Sequence, residues 1–211
     1  SEQATRRLFD SQLSGILNHQ LLAIALWQRS VRSCQAAIML CERGMVPEAR
    51  IQVRSSYELL FFAVATLLSP AAMNAMINNE RMERKKMAEG MLRSAPEGHL
   101  NTVALAQLAE IIVDCDGASK SKFSVFDAAK QAEMEYLYET VYRGMSLDAS
   151  HATVSSTNHF FQPDQTDSLL PVFGPSNDGI EFTLSLVQSC LEYGMFRFGP
   201  FLRGENRDSL R

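Results

Sequence analysis

The chain has 211 residues, 46% of them apolar and 21% charged, with a net charge of −4. That length suits one domain, and the balance is that of an ordinary globular protein. Its mild acidity carries no global signal for nucleic acid or an anionic membrane, although a local basic patch stays compatible with it.

Apolar spacing of three and four residues from Leu17 through Leu21, Ile24, Val31 and Ile38 predicts a first helix, stopped at Gly44 as its C′ residue. Pro47 fits the first turn of a second helix that runs to Leu68. Ser69-Pro70 repeats the start signal for a third, through NNERMERKKMAEGMLR. Glu83 and Glu89 interrupt that basic run, so it reads as a solvated face rather than a nucleic-acid surface. Pro96-Glu97-Gly98 breaks the chain before a fourth amphipathic helix in HLNTVALAQLAEIIVDC, and a fifth is expected over DAAKQAEMEYLYETVYR. The Ser- and Thr-rich stretch 144–161 is expected to be a kinked continuation or a helix–turn–short-helix. Residues 162–179, rich in Pro, Gly and Asp, are expected to be irregular, either a meandering loop or a small hairpin. A final helix follows in IEFTLSLVQSCLEYGMFRF. The expected fold is all-α: a single-domain bundle of five or six main helices, with residues 1–13 as an N-terminal extension.

Cys34, Cys41, Cys115 and Cys190 are scattered without a C-x-x-C pair, the pattern of buried, reduced thiols in a cytoplasmic protein. SEQATRRLFD is charged and is followed by no signal-peptide cleavage pattern. The longest apolar run is about half of the roughly 20 residues that span a bilayer. A cytoplasmic location without membrane contact is therefore expected.

The second helix poses the main chemical question, because Arg54 and Glu58 enter a run, Leu59 to Leu68, whose one polar member is Thr66. At 100° per residue, Val53, Tyr57, Leu60, Val64 and Leu67 form a core stripe, and Arg50, Arg54 and Glu58 form the stripe beside it. Charges at the edge of an interior need partners, so the two are expected to pair with each other or with another helix. Two roles stay open: an ion pair that fixes helix register, or part of a polar pocket.

A second polar concentration is YRGMSLDASHATVSS, containing Tyr142, Arg143, Ser146, Asp148, Ser150 and His151. Asp148 lies one helical turn before His151, close enough to orient its ring. Several chemical templates fail. Ser146 sits in G-M-S-L-D, without the strand-turn-helix of a hydrolase elbow. Asp148 and His151 are half of a helical metal site, but no second carboxylate–histidine pair exists for a di-iron centre. His151 and His159 would stand about 12 Å apart along an ideal helix. No glycine-rich phosphate loop is present. Neither metal nor cofactor is expected.

EARIQVRSSYELL resembles the E-A-x-x-x-x-R-x-x-x-E element of an uncharacterised prokaryotic family, domain of unknown function five-six-seven-seven. The later run Tyr142, Ser146, Ser150, His151, Ala152 and Thr153 resembles that family's Tyr–Ser–Ser-His-Ala-Thr pattern. The resemblance covers residues 14 to 199. It implies an all-helical fold with Arg54, Glu58, Ser146 and His151 as typical polar residues, and no established activity.

A more distant similarity is to HEPN-type helical domains, whose ribonuclease members carry Arg-x(4–6)-His on a late helix. It implies histidine moving a proton at a 2′-hydroxyl while arginine holds the phosphate. Here seven residues separate Arg143 from His151 and Gly144 intervenes, so Arg54 would have to take the phosphate role.

The site expected from these readings joins Arg54, Glu58, Ser146 and His151 as candidate catalytic residues, with Tyr142, Arg143, Asp148 and Ser150 as ligand-binding neighbours. A regulatory or binding module is the expected function, and a metal-independent endoribonuclease of a toxin or phage-defence system is the alternative. A homodimer and RNA are the partners left open, RNA without support from the net charge.

Overall fold

A computed structural model describes residues 16–117, 122–147, 153–166, 168–172 and 174–203, with the side chain of Ser155 left out. Among the described residues the protein is all-α apart from one small hairpin. It forms two compact units, one made of residues up to Ser69 together with those from Val125 onward, the other of Pro70–Ser124.

In the first unit, α1 spans Asn18–Cys41 and α2 spans Val46–Leu68. The corner between them is a Schellman stop: Met45 N–H donates to Leu40 O and Gly44 N–H to Cys41 O, both at 2.9 Å. Gly44 holds the left-handed conformation this requires, at φ +69°. The core stripe of α2 is buried as its period demands, with Val53, Tyr57, Leu60 and Val64 at 0% exposure and Leu67 at 3%. By length and composition α2 could cross a membrane, yet 56% of its most apolar window is covered by the rest of the protein.

In the second unit, α3 (Pro70–Ser94) and α4 (Thr102–Asp114) are the third and fourth helices. Asn101 caps α4 by accepting from Ala104 N–H at 2.8 Å. Lys85 pairs with Asp116 at 2.6 Å and Lys86 with Glu83 at 2.8 Å, so these two charges of the basic run are answered within the unit. Phe123 N–H donates to the Asn79 side-chain oxygen at 3.0 Å, which ties the end of the unit to α3.

The chain returns to the first unit as α5 (Val125–Gln131), and here the structure corrects the expectation of one uninterrupted fifth helix. Glu133 takes φ +58°, with Met134 N–H reaching back to Ala129 O, a Schellman stop built on a non-glycine residue. The chain restarts as α6, made of an α turn at Glu135–Leu137, a π turn at Tyr138–Tyr142 and an α turn at Arg143–Met145. Beyond the undescribed residues 148–152 lie α7 (Val154–Thr157) and a 3-10 turn at Asn158–Phe160.

The segment expected to be irregular holds an antiparallel hairpin, β1 (Phe161–Pro163) against β2 (Leu169–Pro171). The bonds Val172 N→Phe160 O and Asp164 N→Ser168 O bracket it, so Phe161–Pro171 and Pro163–Leu169 are its non-hydrogen-bonded pairs. Both prolines therefore occupy outward-facing positions, where a missing N–H removes a donor from each open edge. The last helix, α8, spans Ile180–Leu202.

α1, α2 and α8 pack closely in the first unit. Trp27 of α1 stacks on Phe198 of α8 at 4.7 Å, and Gly194 makes room for the Trp27 indole. The Tyr57 hydroxyl donates to Leu186 O at 3.0 Å, satisfying a phenol that is otherwise fully buried.

Candidate functional site

Arg54 projects from α2 towards α6, where the π turn presents Tyr142. In that turn Arg143 N–H bonds to Tyr138 O, five residues back, which shifts the helix face relative to an α turn. Tyr138 and Tyr142 consequently stack at 5.2 Å, and Phe61 packs against both at 6.4 and 6.1 Å. This aromatic floor brings the Tyr142 hydroxyl to the Arg54–Glu58 stripe.

The polar atoms above the floor form a closed network. Arg54 Nε donates to Ser146 Oγ at 2.9 Å, and its Nη2 donates to the Tyr142 hydroxyl. Arg54 Nη1 pairs with Glu58 Oε2 at 3.1 Å. The Tyr142 hydroxyl donates to Glu58 Oε2 at 2.9 Å, and the Ser146 hydroxyl donates to Tyr142 O at 2.8 Å. The guanidinium carbon also lies 4.5 Å from the Tyr142 ring centre, a cation–π contact. Burial first, and then the bond and charge of Glu58, push the Tyr142 phenol well above its ordinary value, against the opposing pull of Arg54. Tyr142 therefore stays a neutral donor.

The Arg54 and Glu58 side chains keep 22% and 34% exposure, so the network sits at the edge of the interior. Ser146 commits its one proton to the Tyr142 carbonyl, and Glu58 Oε2 accepts from both Arg54 and Tyr142.

Of the residues proposed from sequence, Arg54, Glu58, Tyr142 and Ser146 meet. Arg143 does not join them: it pairs with Glu139 at 2.7 Å on the exposed side of α6. Asp148, Ser150 and His151 lie outside the described residues.

One arginine turn earlier, sequence reasoning missed a second arrangement. Arg50 Nη1 meets His159 Nε2 at 3.0 Å, and Arg50 Nε reaches Thr183 Oγ1 at 3.5 Å. A guanidinium only donates, so His159 Nε2 is the acceptor of this pair. The available signal was the position of Arg50 on the same stripe as Arg54. Nothing local marked His159, which is 109 residues away.

Beside this pair lies a cleft of about 640 Å³. One wall is the α1–α2 corner, from Arg43 to Glu48; the others are residues 158–162 and the segment around Pro175 and Ser176. Ser176 N–H donates to Gly44 O at 2.9 Å, and a Cβ on Gly44 would stand 2.6 Å from the Pro175 Cβ. The wall and the corner are thus in backbone contact.

Among known proteins, the model described as "Family of unknown function (DUF5677)" matches residues 20–169, a span that includes all four members of the Arg54 network. No curated protein and no solved structure matches the chain.

Proposed function

The chain belongs to DUF5677, a family of unknown function, and from that premise we propose that it is a non-catalytic binding or regulatory module. The observation that carries the reading is the state of Arg54, whose Nε, Nη1 and Nη2 are directed at Ser146, Glu58 and Tyr142. An arginine that serves a transition state keeps donors aimed at the place where charge develops. Arg54 aims them at its own helix and at α6, so its work is to hold α6 on α2.

In this reading the ligand seat is the cleft at the start of α2. Its volume of about 640 Å³ falls in the size class of small-molecule sites. Met45, Pro47, Phe160 and Phe161 supply apolar wall, and Glu48 and His159 supply polar ends. That mixture suits a small organic molecule with an apolar body and a polar end. Four free, buried cysteines support a cytoplasmic location, and a homodimer is the proposed assembly.

A second reading, a metal-independent endoribonuclease of a toxin or phage-defence system, draws on the partial exposure of Arg54 and Glu58. One experiment separates the two. Purified full chain, Arg54→Lys and His151→Ala are each incubated with total RNA in the presence of a chelator, and the melting temperatures are measured in parallel. The module reading expects intact RNA throughout and a lowered melting temperature for Arg54→Lys. Cleavage by the parent that disappears in His151→Ala overturns it in favour of the nuclease.

A further inference from the structure

The second unit leaves one face of α3 largely open. Met73, Ile77, Glu80, Arg84, Met87 and Met91 recur along that helix at alternating spacings of four and three. At 100° per residue they fall within about 80° of one another, in a stripe about 27 Å long. Ile77, Met87 and Met91 are about half exposed, and Glu80 and Arg84 are exposed. α4 is held on another face, where Arg81 Nη2 donates to Asp114 O at 2.7 Å and Lys85 pairs with Asp116.

Two observations say what suits this stripe. The first is charge: Lys85 and Lys86 are answered within the unit, whereas Glu80 and Arg84 have no ion-pair partner among the described residues. An apolar seam of this spacing, with an acid and a base at its middle, suits a helix that offers the opposite charges at the same spacing. The second is order. Read from either end, the stripe runs apolar, apolar, charged, charged, apolar, apolar, and reversing it exchanges acid for base.

We propose that α3 is the contact of the homodimer: two copies of the chain pack α3 on α3, antiparallel, about a twofold axis level with Met82. This rests on the homodimer proposed above and assigns its surface. Met73 then meets the partner's Met91, Ile77 the partner's Met87 and Glu80 the partner's Arg84, each contact made twice. A parallel pair would set Glu80 against the partner's Glu80 and Arg84 against the partner's Arg84, so charge selects the antiparallel arrangement. The flexible thioethers adapt to one another along the seam, which closes it without a strict steric match.

The test measures the mass of the full chain by sedimentation over a range of concentrations, with circular dichroism as the check on folding. Wild type should dimerise. Glu80→Arg and Arg84→Glu should each weaken association by about tenfold or more, because each gathers four like charges at the axis. Mixed together, the two variants should dimerise with each other, and the exchange variant Glu80→Arg/Arg84→Glu should dimerise alone. Register is read by oxidation: Ile77→Cys mixed with Met87→Cys should give a disulfide-linked dimer in far higher yield than either variant by itself. A wild type that is monomeric at every concentration overturns this inference and the homodimer with it. A dimer that ignores both charge reversals, that does not re-form in the mixture, or that yields no link between positions 77 and 87 overturns the α3 contact and leaves the homodimer standing. The cross-link keeps both charges in place, so it decides the register even where a charge variant does not fold.

Discussion

Arg54 and Tyr142 meet twice: the guanidinium donates to the phenol oxygen and also covers the ring, 4.5 Å from its centre. Truncating either residue to alanine therefore loses a hydrogen bond and a stacking contact together. Arg54→Ala should cost about 2 kcal/mol, between the limits for exposed and buried ion pairs, because both partners are partly solvated. Tyr142→Phe keeps the ring and should cost about 1 kcal/mol for the lost bonds. A double-mutant cycle by urea unfolding should give a coupling of about 1 kcal/mol, and strict additivity would show that no clasp exists.

Stability should fall on both sides of neutrality, for different residues. His19 is 4% exposed, and its Nε2 has no hydrogen-bond partner among the described residues. Burial lowers its pKa from 6.5, so the unfolded chain takes up a proton before the folded one does. The contribution of His19 is complete above pH 6.5 and is lost as the pH falls through the folded-state value. Tyr57 and Tyr142 are raised, chiefly by burial, from 10.0, so their contribution is complete below that pH and is lost as the pH rises beyond it. Melting temperature against pH should show a plateau with two descending limbs, and His19→Gln should flatten the acid one. An unaltered acid limb in that variant would assign the acid loss to other groups.

Gly194 is a packing glycine. A Cβ there would collide with Trp27 Nε1 and stand 3.2 Å from its Cδ1, so Gly194→Ala forces the indole off Phe198. The cost should be about 2–3 kcal/mol, as for other overpacked cores. Trp27 is the single tryptophan of the chain, so its fluorescence should shift in step with the stability loss. A wild-type spectrum with wild-type stability would place the indole elsewhere.

Glu133 offers the opposite experiment. Its φ of +58° is left-handed, a conformation that costs a non-glycine residue about 1–2 kcal/mol. Glu133→Gly removes that cost and gives up one bond from Arg197 to an exposed carboxylate, at 3.2 Å. Exposed pairs contribute little, so the variant should melt higher than the parent. A lower melting temperature would show that the Arg197 contact outweighs the backbone term.

The α2 helix was legible in full, because a 3.6-residue period assigns Tyr57 and Leu60 to the core and Arg54 to its margin without any knowledge of the partner. Tyr142 and Ser146 were legible as a polar cluster, and their convergence with Arg54 rested on a family resemblance rather than on spacing. The π turn that aims Tyr142 was not legible, since one extra residue in a turn leaves no mark in composition. Nor was the break at Glu133, because glutamate carries no turn signal and only tertiary packing holds it at positive φ. The pairing of Arg50 with His159 belongs to the same class, set by how a hairpin lands on a helix start rather than by either residue's neighbours.

The backbone bond from Ser176 to Gly44 has a consequence for binding. It welds the rim of the cleft to the corner on which it sits, and Pro175 presses on a position too cramped for a methyl group. Opening the rim at this point breaks that bond. On the binding reading proposed above, a molecule entering there should spend little ordering entropy on this stretch of the wall.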